Sequence, residues 1–188
     1  MNVPIDISNV VLRTKRLVLR PFEQRDLDDF FEYASVDGVG QMAGWAPHEN
    51  KEVSQTILDR FVSGKKTFAL VLDGKVIGSL GIECYNEEKF PELSDKKARE
   101  IGYVLAKPYW GQGLMPEAVK EVIRYCFEDL GLDLLTCGHF VWNKQSARVQ
   151  EKCGFHFYSA GKYTTRIGTI EDDITNILTR EEWLALQK

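Results

Sequence analysis

Two glycines one residue apart, Gly111 and Gly113 in "KPYWGQGLMPEAVKEVIRYCF", stand directly ahead of a long run with helical apolar spacing. A backbone without Cβ can approach a ligand closely, and the first N–H groups of a helix point outwards, unpaired, beside the positive end of its dipole. Such an entrance suits a pyrophosphate. It also suits a tight strand-to-helix turn that binds nothing, and on the glycines alone both readings stand. The P-loop is excluded, because no Lys-Ser or Lys-Thr follows. The dinucleotide fingerprint is excluded because Pro116 stands where its third glycine would be. Cys84, Cys126, Cys137 and Cys153 contain no CxxC pair, and His48, His139 and His156 complete no ligand pattern. The cysteines read as reduced, buried thiols, and no metal is expected.

The elements that position these residues follow from apolar periodicity. "RLVLRPF" alternates as a first strand, and "DLDDFFEYA" carries one helical face. The glycine-rich loop 38–50 precedes a second helix that stops at Gly64. "TFALVLDGKVIGSLGIECY" gives strands two and three, joined as an antiparallel hairpin through Asp73-Gly74. "REIGYVLA" is the fourth strand, which Lys107-Pro108 discourages from continuing. Met115, Ala118, Val119, Val122, Ile123, Cys126, Phe127 and Leu130 then mark a third helix over four turns, with Gly131 as its cap. "LDLLTCGHFV" is strand five, "KQSARVQEKCGF" a short helix ended by Gly154, and "HFYSAGKYT" with "IEDDITNILT" a closing hairpin. Thr179 and Glu182 form a capping-box pattern that opens a last short helix.

The 188 residues, 44% of them hydrophobic, suffice for one buried core, and a single domain over 1–188 is expected. A formal charge of −4, from 24 basic and 28 acidic side chains without a basic block, argues against nucleic acid or an anionic membrane as the main partner. No export signal or membrane-spanning run is legible, so a cytoplasmic location is expected.

Three segments in order, "LRTKRLVLRPF", "EIGYVLAKPYWGQGLMPEA" and "NKQSARVQEKCGF", resemble the GNAT superfamily of acyl-CoA N-acyltransferases. Within it they are similar to the branch of ribosomal-protein N-terminal acetyltransferases of the Rim (RimJ/RimL-like) type, from Arg13 to about Trp183. The resemblance implies an α/β (α+β) fold with a central mixed, mostly antiparallel sheet of about seven strands. That sheet would splay between its fourth and fifth strands and be flanked by helices. It implies acetyl-CoA as cosubstrate and an amine as acceptor, either a protein N-terminus or a small molecule such as an amino acid, polyamine or antibiotic. A homodimer is compatible with this branch.

The superfamily's pyrophosphate loop, [QR]-x-x-G-x-[GA], overlays Trp110 to Met115. It is matched at Gly113, with Gly111 a companion, while Trp110 and Met115 depart from it. Any residue except proline still supplies an N–H, so Gln112, Gly113, Leu114 and Met115 are the implied contacts, with bulky Met115 narrowing the site. Pantetheine would pair with the backbone of Tyr103, Val104 and Leu105 as an added strand. Asn143 and Ser146 match the branch's N-x-x-S, the first contacting pantetheine and the second near the sulfur; Asn143 is equally placed to be a helix N-cap. Glu100 shares a strand face with Gly102 and Val104 and matches the usual general-base position, against an ordinary exposed glutamate at a strand start. The Val104 or Leu105 N–H would polarise the carbonyl, and Ser146, with Tyr103 behind it, would protonate the sulfur. Glu83 would bind the acceptor's charge and Trp45 wall its pocket, or merely pack. A non-catalytic acyl-CoA-binding module and a purely structural domain are the readings from other classes.

Overall fold

The computed structural model describes residues 1–188. Leu12–Arg13 (β1) and Val18–Pro21 (β2) pair as a short hairpin, followed by the helices Leu27–Ala34 (α1) and Lys51–Gly64 (α2). Thr67–Leu72 (β3) and Lys75–Glu83 (β4) turn at Asp73 and Gly74, whose φ angles of +49° and +83° match the right-handed twist of the flanking strands. Ala98–Leu105 (β5) leads through the glycine turn into Leu114–Arg124 (α3), which continues as a π-helical turn to Asp129. That turn buries three consecutive residues, Tyr125, Cys126 and Phe127, which no single face of a regular helix would do. Leu134–Phe140 (β6), Lys144–Lys152 (α4), His156–Thr164 (β7), Ile170–Thr179 (β8) and Arg180–Leu186 (α5) complete the chain.

The strands form one sheet in the order β1-β2-β3-β4-β5-β6-β8-β7. Eight strands replace the expected seven because the two-residue β1 is too short to show alternation. The expected splay between a fourth and a fifth strand therefore falls between β5 and β6. These two are parallel, with α3 as their crossover, and pair only at Ala98↔Leu134, Arg99↔Leu135 and Glu100↔Thr136. Both strands then run on, to Leu105 and Phe140, without pairing to each other.

A core lies on each face of the sheet. On one, α3 packs Leu114, Met115, Ala118, Val119, Val122 and Ile123 against Leu19, Leu70, Leu80, Ile82 and Ile101. On the other, Phe22, Phe30, Tyr33, Leu58 and Val76 form a smaller cluster with α1 and α2. The centre of the sheet is thus buried on both faces. The capping box of Thr179 and Glu182 is present at α5, and no helix is long and apolar enough to cross a membrane.

Candidate active site

Alternation along β5 assigns its groups. Ala106 N–H donates to the Ile77 carbonyl of β4 at 2.8 Å, so the two-residue period turns the backbone groups of Glu100, Gly102 and Val104 towards β4, opposite Glu83, Gly81 and Ser79. The intervening groups face the gap. Ile101 O accepts from Cys137 Sγ at 3.1 Å, and Leu105 O accepts from the Trp110 indole Nε1 at 2.8 Å. The N–H and C=O of Tyr103 and the N–H of Leu105 thus line an edge that has no β6 partner. The expectation for Val104 is corrected: its N–H belongs to the β4 ladder and its side chain alone reaches the gap. Three consecutive strand residues cannot all present backbone to the same side.

A cavity of about 680 Å³ fills the gap and is lined by residues from both faces of the sheet, a size suited to a small-molecule ligand. At one end lies the glycine turn. Gly111 and Gly113 adopt φ of +73° and +75°, conformations a side chain disfavours. The N–H groups of Gly111, Gln112, Gly113, Leu114 and Met115 donate to no acceptor of the chain. Met115 turns its side chain into the core, so its bulk forms the inner wall and leaves the loop's outer surface clear. Gln112 stays outside the lining; its side chain bonds Pro108 O at 2.9 Å, and its carbonyl accepts from Arg16 Nη1 at 2.9 Å. Arg16 is fixed in turn by Glu117 at 2.7 Å, while Arg148 and Lys152 on α4 add positive charge to the lining. An anion bound to the five donors would therefore lie beside cations.

On the α4 side, Asn143 caps the helix through Ser146 N–H at 3.0 Å and donates Nδ2 to Met42 O at 3.1 Å. It lines the cavity with its amide engaged at both ends. Ser146 Oγ is 2.9 Å from the Tyr103 hydroxyl and accepts from Gln150 Nε2 at 3.2 Å. Gln150, buried, is oriented by Asn176 Nδ2 at 2.7 Å. Burial pushes the Tyr103 hydroxyl well above its ordinary range, so it stays protonated and able to donate.

On the opposite face, Glu100 stands where β5 and β6 part. Desolvation pushes its carboxyl up to about 7; Glu83 and Asp173 add to the rise, while Lys89 and a 3.4 Å hydrogen bond from Thr136 oppose it. A carboxyl titrating near neutrality is matched to taking and holding a proton. Asp173 of β8 is buried on the same face and paired with Lys89 at 3.1 Å. Glu83 and Trp45 lie outside the cavity lining. Glu83 forms an ion pair with Lys66, and Trp45 packs on His48 with ring centroids 5.2 Å apart. Val39, Met42 and Ala43 supply the wall expected of Trp45.

The structure thus brings Glu100, Tyr103, Ser146, Asn143 and the glycine turn around one cavity. Sequence reasoning missed Trp110 as the partner of the Leu105 carbonyl, the Gln150–Asn176 pair, and Asp173 with Lys89. Asp173 shares strand parity with buried Ile177, but Asn176 and Leu178 on the other parity are buried as well, so alternation in β8 singles out neither face.

Residues 16–156 match the family described as Acetyltransferase (GNAT) domain. The FsC-acetyl coenzyme A-N(2)-transacetylase of Aspergillus fumigatus is 30% identical over 130 residues, 68% of this chain and 55% of that protein, so this chain matches only about half its length. The fold is shared with a GNAT-family acetyltransferase from Bacillus anthracis (TM-score 0.79, 22% identity, covering 92% of this chain and 99% of that one). It is also shared with the ribosomal-protein-S5-alanine acetyltransferase of Vibrio fischeri (TM-score 0.69, 21% identity, 93% and 99%).

Proposed function

The chain belongs to the GNAT acetyltransferase family, whose members use acetyl-CoA, and from that premise we propose that it acetylates a primary amine by direct attack, with a polypeptide N-terminus as acceptor. The observation that carries this reading is the parting of β5 and β6 at Glu100. It sets a proton acceptor near neutrality, an unpaired strand edge and five free N–H donors around one cavity.

Bound acetyl-CoA would supply the thioester. The chain's own groups divide the remaining work. The N–H groups of Gly111 to Met115 hold the pyrophosphate, with Arg148 and Lys152 beside them. The Tyr103 N–H and C=O and the Leu105 N–H match the amide groups of a pantetheine arm, each of which needs a partner on leaving water. Glu100 takes a proton from the incoming ammonium, directly or through a water, leaving the neutral amine as nucleophile. Ser146 and Tyr103, sharing a 2.9 Å hydrogen bond, supply the proton that the departing sulfur requires. The acceptor's face of the cavity carries Glu100 and Asp173 against Lys89, which Asp173 already neutralises. A cationic amine is favoured there and the carboxylate of a free amino acid is not. That contrast supports an N-terminus, as in the ribosomal-protein acetyltransferase branch, over an amino acid.

Calorimetry with acetyl-CoA, followed by thiol release with a panel of N-terminal peptides and small amines, tests the reading. Wild type is expected to bind and turn over, and Gly113→Trp, which fills the loop, to lose binding at least tenfold. Binding without turnover of any amine would convert the protein into an acyl-CoA-binding module. No binding by a folded wild type would refute the reading.

A further inference from the structure

The Lys89–Asp173 pair takes no part in the proton transfers above, and both residues line the acceptor's side of the cavity. Asp173 lies in β8 with 7% of its surface exposed; Oδ2 meets Lys89 Nζ at 3.1 Å, and Oδ1 accepts no hydrogen bond. A buried carboxylate oxygen without a donor is costly to keep, and a ligand donor would satisfy it. The site is shaped around the pair. A Cβ at Gly161 of β7 would fall 3.1 Å from Asp173 Oδ1 and 3.3 Å from Lys89 Nζ, so the missing side chain makes the room they occupy.

The two partners are held unequally. Asp173 is fixed within a strand paired on both sides. Lys89 sits on the loop between β4 and β5, its side chain about one-third exposed (31%). It is the one lysine or arginine lining this face, because Arg148 and Lys152 belong to α4 on the other. Glu100 and Asp173 are also too far apart for one ammonium: Asp173 pairs with Phe140, four residues along β6 from the Thr136 that pairs with Glu100, an offset of roughly 13 Å at backbone level.

Building on the acetyltransferase reading of this cavity, we propose that Asp173 anchors a second positively charged nitrogen of the acceptor, and that Lys89 holds that position until the acceptor displaces it. The acceptor is then a primary amine with a second cationic nitrogen several bonds away. A di- or polyamine supplies that chemistry, and so does a basic side chain close to a polypeptide N-terminus.

The test pairs butylamine with 1,4-diaminobutane, and two tripeptides that differ only in a neutral or basic second residue. Each is measured by calorimetry on the acetyl-CoA-loaded protein and by initial rates. Wild type is expected to favour the dication at least tenfold in Kd and KM in one arm, and that arm identifies the source. Asp173→Asn abolishes the preference, weakening dication binding much more than monoamine binding and leaving acetyl-CoA affinity unchanged, and Lys89→Met tightens dication binding several-fold. The double variant Lys89→Met/Asp173→Asn leaves no unpaired buried charge and carries the same expectation if Asp173→Asn alone misfolds. No dication preference in wild type, or equal weakening of both ligands by Asp173→Asn, overturns the proposal. If nothing is turned over, the acetyltransferase reading fails, whereas the calorimetric comparison still decides the role of Asp173.

Discussion

Replacing Glu100 by glutamine separates the stability of this carboxyl from its chemistry. The side chain titrates near 7 in the folded protein against an ordinary 4.5, chiefly because the cavity desolvates it. At about 1.4 kcal/mol per tenfold change in acidity, ionising it in the folded state costs about 3 kcal/mol more than in the unfolded chain. The folded protein therefore holds the proton more tightly, and stability falls as pH rises from about 4.5 through 7, with the whole penalty present above 7. Glutamine keeps the shape and cannot ionise. Glu100→Gln should thus match wild type to within about 1 kcal/mol at pH 5 and exceed it by about 3 kcal/mol at pH 8.5. In a chain of this size that is a rise in Tm of about 6–12 °C. Acetylation by wild type should climb with pH, half-maximal near 7 and level above about 8, and Glu100→Gln should lose about 10²–10⁴-fold in rate. Thermal melts and initial rates across pH 5–8.5 check both halves. A Tm difference that does not grow with pH would sink the desolvation argument, and an unchanged pH–rate limb in the glutamine variant would remove Glu100 as the base.

Asn143→Ala removes the cap on Ser146 N–H and the tether to Met42 O together. It should lower stability by about 1–2 kcal/mol, seen as a Tm drop of about 2–8 °C; an unchanged melting curve would show that neither bond matters. Among the thiols, Cys84 is exposed, while burial pushes Cys126, Cys137 and Cys153 up, the last to about 12. Native protein at pH 8 should react rapidly at one thiol with a disulfide reagent and at four after denaturation. Rapid reaction at more than one would contradict the burial of Cys126, Cys137 and Cys153.

The parts legible in the sequence are those written in local chemistry. Asp73-Gly74 specifies its hairpin through two positive φ angles, and the α3 stripe specifies a buried face whatever lies opposite. The glycine turn was legible as an entrance but not as a site, since the same two residues serve a bare turn. Features that depend on pairs of distant segments left no such trace. Lys89 sits in the strongly charged stretch "NEEKFPELSDKK", where nothing distinguishes it from its neighbours until β7 and β8 bring Gly161 and Asp173 against it. Trp45 and Glu83 show the opposite case. Each stands next to the cavity in sequence, but Gly40 admits the Trp45 ring into the α1–α2 layer and Lys66 draws Glu83 away. Chain proximity does not determine which way a side chain turns.

The period of two in β5 explains why one short strand can serve both halves of a transfer. Even-numbered residues spend their backbone on β4 and direct side chains to the face that carries Glu100, so a substitution at Glu100 leaves the ladder intact. Odd-numbered residues direct their side chains to the α3–α4 face and their backbone to the gap, where Tyr103 and Leu105 offer donors that no side-chain substitution except proline removes. The edge is unpaired where β6 diverges from β5, since β6 keeps its ladder to β8 over seven residue pairs, from Leu134↔Thr179 to Phe140↔Asp173, but pairs with β5 over only three. Closing the gap would require β6 to swing towards β5 together with the β8 laddered to its other edge. The opening therefore belongs to the divergence of two strands and not to any single side chain.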